Sequence, residues 1–301
     1  MDGGSNLGKA IAAGEFVVTA EYRPPRGTSV ERLLAAAESL APRVHAVCAP
    51  ESEDGARMCS MAACRHLAAA GAEPILHLLT RDMNRISLQA TILGAASLGV
   101  RNVLCLAGRH QALTTCREAR GVFDVDAIQL LRIADRMRRD GRLADEEALD
   151  SPVDLLLGTD TNPFSDPVDL QILTLDKAVR MGADFVITQP VFNLRRFDEW
   201  LDGVRERGVH TRTCVVASVM PLVSKEQASS LLDSHRQLDI PDEVIARLET
   251  ASDSRATGVE LAAATVSHLR SLEGVRGVHI SAGEDFDLAT DVLTASGLAK
   301  G

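Results

Sequence analysis

The sequence lacks any long apolar run. Its 301 residues contain no window close to the roughly 18 to 20 apolar residues that a membrane-spanning helix requires. The N-terminal stretch MDGGSNLGKAIAAGEF contains no apolar segment of the length found in signal peptides. We therefore expect no membrane segment and a cytoplasmic location.

Positive charge is also scarce. Lys and Arg total 32 against 42 Asp and Glu, which gives a formal net charge of -10 at pH 7. Proteins whose main partner is a nucleic acid or an anionic membrane usually carry basic surfaces. The composition therefore predicts a small-molecule ligand, with no nucleic-acid or membrane partner.

The cysteines form no CxxC pair. They are spread over the long chain, several of them within apolar runs, at positions 48, 59, 64, 105, 116 and 214. This distribution is typical of reduced, buried thiols and not of a disulfide framework. The CSMAAC segment is a weak signal for metal ligands, but cysteine on a buried helix face is the commoner explanation of such a spacing. We predict no metal site.

Short apolar runs alternate with longer amphipathic segments along the whole chain. The runs predict eight β-strands, at 16–21, 43–50, 73–79, 102–108, 153–159, 184–189, 214–220 and 277–283. Between them, apolar residues at three- and four-residue spacing predict helices. Eight βα units whose strands are apolar on both faces predict an α/β fold, a single (β/α)8 TIM barrel. An open, doubly wound sheet is the alternative, but the GxGxxG segment expected after its first strand is missing.

No repeat, low-complexity tract or linker divides the chain. We therefore predict one domain over residues 1–301. Within it, residues 1–14 are interpreted as an N-terminal extension and residues 140–150 as a surface insertion before the fifth strand. Residues 234–254 are interpreted as an extra helical excursion before the last strand.

Polar residues occur at the carboxyl ends of the predicted strands, where the active site of a parallel barrel lies. Glu21 ends the first strand, His77 ends the third and Gln189 follows the sixth. We expect Glu21 to point into a shared pocket, where desolvation would raise the pKa of its carboxyl toward a range useful for proton transfer. The alternative is a structural ion pair with Arg23 or with an arginine on a neighbouring strand. For His77, the separate alternative is a hydrogen-bonded rim histidine without a ligand.

Several motifs occur in the same order as in one enzyme family. TAEYRPPRG resembles the Glu-x-x-Pro-Pro opening of methylenetetrahydrofolate reductases, and HLLTRDMNR resembles their stretch after the third strand. LGVRNVLCLAGRH is similar to their segment around the fourth strand. Counterparts in the same order exist for GTDTNPFSDP, MGADFVITQPVFN, MPLVS and TGVELAAATVSHL. The resemblance extends from about Glu15 to Leu298.

The resemblance implies a TIM barrel that holds FAD at its strand ends and interconverts 5,10-methylene- and 5-methyl-tetrahydrofolate. It implies that Glu21 is the general acid that opens the methylene bridge and that Gln189 and Gln227 contact folate. The positions at or beside flavin contacts are His77, Gly108, Asn162, Asp166, Thr174 and Lys177. We also expect a homo-oligomer, with an electron-donor subunit as a partner of a reductase.

Three positions depart from the family pattern. The family carries Gly-Asp after the fourth strand, where this chain has Gly108-Arg109. A family lysine near the flavin falls on Ala178, and a family arginine that grips folate falls on Asp285. If the correspondence with the family sequence is shifted by one residue, Lys177 takes the place of that lysine.

Arg109 is the departure with the clearest chemical consequence. A carboxylate at this position favours the cationic iminium formed before hydride transfer, and an arginine opposes it. We therefore include Arg109 among the catalytic and substrate-binding candidates. An ion pair of Arg109 with Asp160 or Asp82 in solvent is the alternative, which would cancel this effect.

Arg109 also leaves a second function open. A positive charge nearby would keep folate N5 neutral and nucleophilic, as required to accept a methyl group. The alternative function is thus a folate-dependent methyltransferase that moves a methyl group between a corrinoid protein and tetrahydrofolate without a redox role. A folate-binding protein without catalysis is a further alternative.

Overall fold

Eight parallel strands form a closed barrel in which β8 pairs back with β1. The structure is a computed structural model that describes residues 4–51, 55–235 and 238–298. The strands are β1 (Val17–Glu21), β2 (Ala46–Ala49), β3 (Pro74–Leu79), β4 (Asn102–Leu106), β5 (Leu156–Thr161), β6 (Phe185–Thr188), β7 (Cys214–Val219) and β8 (Val275–Ile280). All eight predicted strands and the predicted TIM barrel are confirmed.

One helix precedes the first strand, and the others follow the strands and surround the barrel. In the described ranges they are α1 (Asn6–Ala13), α2 (Glu31–Leu40), α3 (Ser60–Ala69), α4 (Arg85–Ser97), α5 (Ala127–Arg139), α6 (Val168–Arg180), α7 (Leu194–Glu206), α8 (Lys225–Ser234), α9 (Asp242–Thr250), α10 (Ser254–Ser271) and α11 (Phe286–Ala295). Three of them, α8 to α10, lie between β7 and β8. Within the described residues, no helix combines the length and apolarity needed to cross a membrane.

Alternate residues of each strand face the barrel interior and the surrounding helices. In β1, Val17 belongs to the apolar cluster inside the barrel, whereas Val18 and Ala20 pack in the cluster formed with the helices. Because side chains alternate along a strand, Thr19 and Glu21 lie on the same inward side as Val17. Both faces are buried, which explains why the strands are apolar throughout.

Apolar side chains fill the amino-terminal end of the barrel. Helix α1 contributes Leu7 and Ala10 to the interior cluster. The Phe185 ring occupies the space that a Cβ atom on Gly158 would need, so glycine at this position lets the ring fill the interior. The polar side chains of the interior lie nearer the carboxyl ends of the strands.

Some element boundaries differ from the sequence predictions. Strand β8 ends at Ile280 and not at residue 283, and Gly283 in the following loop has a φ of +65°. In the predicted 140–150 insertion, Arg142 and Ala148 form an isolated antiparallel bridge. Helix α9 lies in the predicted 234–254 excursion, of which residues 236–237 lie outside the described residues.

Candidate active site

Glu21 ends β1 inside the mouth of the barrel, with a side chain only 16% exposed. The Ser281 hydroxyl donates a hydrogen bond of 2.7 Å to Glu21 Oε1. On the other oxygen, Oε2, His279 Nε2 lies 3.6 Å away, within ion-pair range. The partner on the neighbouring strand is thus a histidine, in place of the arginine that the alternative interpretation of Glu21 invoked.

The pairing of β1 with β8 places His279 beside Glu21. Thr19 and His279 are register partners in the two strands. Their side chains meet inside the barrel, where Thr19 Oγ1 and His279 Nδ1 are 3.0 Å apart. Both residues are almost fully buried, at 1% and 4% exposed. The imidazole ring is therefore fixed between a hydroxyl and a carboxylate.

The Glu21 carboxyl is ionised at neutral pH. Burial alone raises its pKa, but the contacts with His279 and Ser281 and the nearby His77 outweigh burial and lower the pKa to about 2. The prediction of a raised pKa was wrong, because it counted desolvation and did not include these partners. A general acid at this position must therefore receive its proton from another group during the reaction.

His77 lies within β3, two residues before its end, and not at the end as predicted. It is half-buried, on the same side of the strand as the interior residue Ile75. Its backbone N–H donates to Ser60 Oγ at 3.0 Å. We call Glu21, His77, His279 and Ser281 the Glu21 cluster.

Gln189 directly follows β6 and is half-buried. Its backbone is held on both sides, because its N–H donates to the Thr161 carbonyl at 2.9 Å and its carbonyl accepts from the Thr188 hydroxyl at 2.9 Å. Its side-chain amide makes no hydrogen bond within the part of the chain that the structure describes. The amide is thus available to a ligand at the barrel mouth.

Gln227 lies in the first turn of α8, and part of its side chain has a structural role. Its Oε1 accepts a hydrogen bond of 2.8 Å from the Val223 backbone, and its own N–H donates to Ser224 Oγ at 3.1 Å. These two bonds cap the helix. The side-chain NH2 group is the part that remains for a ligand.

Two of the six positions at or beside flavin contacts, Asn162 and Asp166, lie in the loop after β5, and both side chains have partners there. Asn162 Oδ1 accepts a hydrogen bond of 2.9 Å from the Phe164 backbone. Asp166 is exposed and pairs with Arg196 at 3.1 Å.

Among the remaining flavin positions, only His77 belongs to the Glu21 cluster. Gly108 has a φ of +79°, and a Cβ atom there would lie 3.0 Å from Leu79 and from Arg81. Thr174 and Lys177 lie on the exposed face of α6, while Ala178 is buried.

Arg109 follows β4 and is half-buried. Its Nη1 lies 3.2 Å from Nε2 of His235, just after α8, and its Nη2 donates to the Leu113 carbonyl at 3.1 Å. Asp82 pairs with Arg81, at 2.7 Å, and not with Arg109, while the alternative pair of Arg109 with Asp160 stays a prediction. The guanidinium group instead connects the loop after β4 with the end of α8.

The loop after β8 contains Asp285 where the family has an arginine. Asp285 accepts a hydrogen bond of 2.6 Å from Arg255, which lowers the pKa of its carboxyl, and it caps α11. The neighbouring Glu284 pairs at 2.8 Å with Arg57, whose side chain is only 7% exposed. Arg57 also donates to the Pro24 carbonyl at 2.9 Å. An arginine thus reaches this rim from the loop after β2.

Sequence reasoning missed three of these residues. Thr19 and His279 occur as polar residues within apolar strands, at even spacing from Glu21 and Ser281, and that spacing was an available signal. No local pattern marks Arg57, because its partners come from two distant loops.

Comparison with known proteins agrees with this architecture. The family model described as methylenetetrahydrofolate reductase matches residues 6–297. Among solved structures, an uncharacterized protein from Clostridium thermocellum that binds two copies of 5-methyl-5,6,7,8-tetrahydrofolic acid superposes with a TM-score of 0.68 at 14% identity, over 95% of this chain and 98% of that one. The open form of tryptophan synthase from M. tuberculosis with BRD0059 bound gives a TM-score of 0.49 at 14% identity, over 99% and 100% of the two chains. No curated protein matches the sequence. Because the family match covers nearly the whole chain, the protein belongs to the methylenetetrahydrofolate reductase family.

Proposed function

We propose that the protein is an enzyme that interconverts 5,10-methylene- and 5-methyl-tetrahydrofolate. The observation that carries the proposal is Glu21, a half-buried carboxylate at the mouth of a barrel of this family, held by Ser281 and His279. The structural neighbour that binds 5-methyl-tetrahydrofolic acid supports a folate ligand for this architecture. The direct test is to incubate the purified protein with 5,10-methylenetetrahydrofolate and NADH or a reduced viologen, and to measure 5-methyl-tetrahydrofolate by mass spectrometry.

Opening of the methylene bridge needs a negative charge near N5 and a proton for N10, two atoms that lie close together in the substrate. When the bond between the methylene carbon and N10 breaks, its electron pair goes to N10, and a cationic iminium forms at N5. The Glu21 carboxylate stabilises this cation electrostatically in a water-poor site. N10 must then receive a proton, and a positioned acid accelerates such a step by about 10² to 10⁴. Glu21 is the group proposed to pass that proton.

The other candidates have binding roles in this proposal. The free amide of Gln189 contacts the pterin edge, where one group can both donate and accept. Gln227 contributes its NH2 group. A hydride donor completes the reduction.

The Gln189→Ala variant should bind 5-methyl-tetrahydrofolate more weakly by about 1 to 3 kcal/mol, because polar atoms of the buried pterin would lose their partner. Calorimetric titration of both proteins measures this difference. Gln171→Ala, the same chemical change on α6, is the matched control and should leave the affinity unchanged. Equal affinities of wild type and Gln189→Ala would place the pterin elsewhere.

Methyl transfer between a corrinoid protein and folate is the second candidate function. It is favoured by Arg109, a cation where the family has a carboxylate. A nearby positive charge disfavours the protonated form of folate N5 and so keeps it nucleophilic.

Arg109→Asp should separate the two functions. In a reductase, the restored carboxylate stabilises the iminium, so methylene reduction should become faster. In a methyltransferase, the same change should slow methyl transfer from a methylcorrinoid and leave reduction undetectable. Both assays are run on wild type, Arg109→Asp and Arg109→Gln, where the last variant removes the charge without adding one. If neither activity responds, the charge of Arg109 does not act on the substrate.

A further inference from the structure

Asp160 differs from every other residue of the barrel wall. Among the residues of the eight strands, all of which the structure describes, it alone is exposed. The other five residues of β5 are buried, and none of them is charged. Charged side chains avoid full burial, so the exposure of Asp160 indicates that its carboxylate borders open space. The direction of the side chain decides where this space lies.

Asp160 lies on the inward side of β5, at the mouth of the barrel. Leu156 belongs to the apolar cluster inside the barrel, and the Phe185 ring fills the interior beside Gly158. Because side chains alternate along a strand, Asp160 lies on the same inward side as these two β5 residues. Its register partner on β6, Ile187, also belongs to the interior cluster. The open space beside Asp160 is therefore the mouth of the barrel.

Asp160 and Gln189 together form a surface of complementary hydrogen-bonding groups. Gln189 lies two residues after Ile187, and its N–H still donates to the Thr161 carbonyl at 2.9 Å, so the pairing of β5 with β6 continues to this residue. Its side chain is thus on the inward side, beside Asp160. An ionised carboxylate only accepts hydrogen bonds, whereas the glutamine amide can also donate.

The 2-amino-4-oxo edge of a pterin matches this surface. It presents two neighbouring donors, N3–H and the 2-amino group, and next to them the acceptor O4. We propose that Asp160 binds N3–H and the 2-amino group while Gln189 donates to O4, which makes Asp160 the residue that selects a 2-amino-4-oxopterin. This inference rests on the proposed function, of which it uses the folate ligand and the place of Glu21.

The position of Asp160 also orients such a ligand. In the closed barrel, three strands separate β1 from β5 in either direction, so Glu21 and Asp160 lie on opposite sides of the mouth. An eight-stranded barrel has room for side chains or for one small ligand. The 2-amino group of folate lies at the end of the pterin opposite to N5 and N10. A pterin held at Asp160 therefore directs N5 and N10 toward Glu21.

A carboxylate is the side chain that suits the two donors. N3–H and the 2-amino group are parallel, so both oxygens can accept at once, as when a carboxylate binds a guanidinium group. A carboxylate has about four acceptor sites, so a contact of Asp160 within the protein leaves sites for both donors. An asparagine of the same shape has one acceptor oxygen and would turn its NH2 group toward a donor.

The test compares two ligands and two proteins by calorimetric titration. The ligands are 5-methyl-tetrahydrofolate and its analogue in which hydrogen replaces the 2-amino group. Asp160→Asn should bind 5-methyl-tetrahydrofolate about 10- to 100-fold more weakly than the wild type, the range for hydrogen bonds to a charged group. Asp242→Asn, the same change at an exposed position at the start of α9, is the matched control and should leave the affinity unchanged.

The analogue shows whether Asp160 acts on the 2-amino group itself. Wild type should bind it about 10-fold more weakly than 5-methyl-tetrahydrofolate, whereas in Asp160→Asn the two ligands should differ less than about threefold. Equal binding of both ligands by the wild type would overturn the inference without any variant. So would an equal loss in both proteins, or an unchanged affinity of Asp160→Asn. A wild type that does not bind 5-methyl-tetrahydrofolate would instead overturn the proposed function, and this inference with it.

Discussion

Glu21→Gln should lower the turnover of methylene reduction by about two to four orders of magnitude, the usual scale for a lost general acid. The amide has nearly the same shape as the carboxylate, but it can neither carry the proton to N10 nor stabilise the iminium with a negative charge. Its side chain can still accept the Ser281 hydrogen bond. We therefore expect the variant to fold and to bind 5-methyl-tetrahydrofolate.

The measurement is steady-state kinetics of both proteins, with calorimetric titration of the folate. Glu206→Gln, the same substitution at an exposed position at the end of α7, is the matched control and should retain full activity. Full activity of Glu21→Gln beside the wild type would remove Glu21 from the mechanism. Loss of folate binding together with activity would instead assign Glu21 a role in binding.

Arg138→Met should destabilise the fold by about 3 to 5 kcal/mol, because it removes a buried guanidinium and leaves the half-buried Asp184 carboxylate without its ion-pair partner. The Arg138 side chain is 2% exposed and forms ion pairs with Asp135 and Asp184. It also donates to the backbone carbonyls of Leu155, at 3.0 Å, and Gly182, at 2.9 Å. These bonds connect α5 to the segments that enter β5 and β6, so their loss affects the barrel itself.

Urea unfolding of the wild type and the variant measures this difference. Arg139→Met is the matched control on the next residue of the helix. Arg139 is 54% exposed and pairs with the same Asp135 at 2.8 Å. An exposed pair of this kind contributes less than about 1 kcal/mol. If both variants lose equal stability, the burial of Arg138 does not determine its contribution.

Much of the barrel follows from local sequence patterns. Runs such as FVVTAE and DFVITQ are apolar on both faces because the interior and the helical ring bury them on both sides, and this property needs no knowledge of the neighbouring strand. The same runs end in Glu21 and Gln189, so the carboxyl ends of the strands were recognisable as the candidate site. The order of the motifs along the chain identified the family.

The tertiary structure decided which groups surround each candidate. Closure of the barrel pairs β8 with β1 and brings His279 and Ser281 to Glu21. Ser281 is 260 residues away from Glu21 in the sequence. As a result, the pKa of Glu21 is lowered and not raised as the sequence predicted. The balance between burial and the hydrogen bonds and charges of neighbouring residues depends on distances in space. Arg109 meets His235 across 126 residues for the same reason. Sequence periodicity reports which face of an element is buried, whereas the partner on that face is set by how the whole barrel closes.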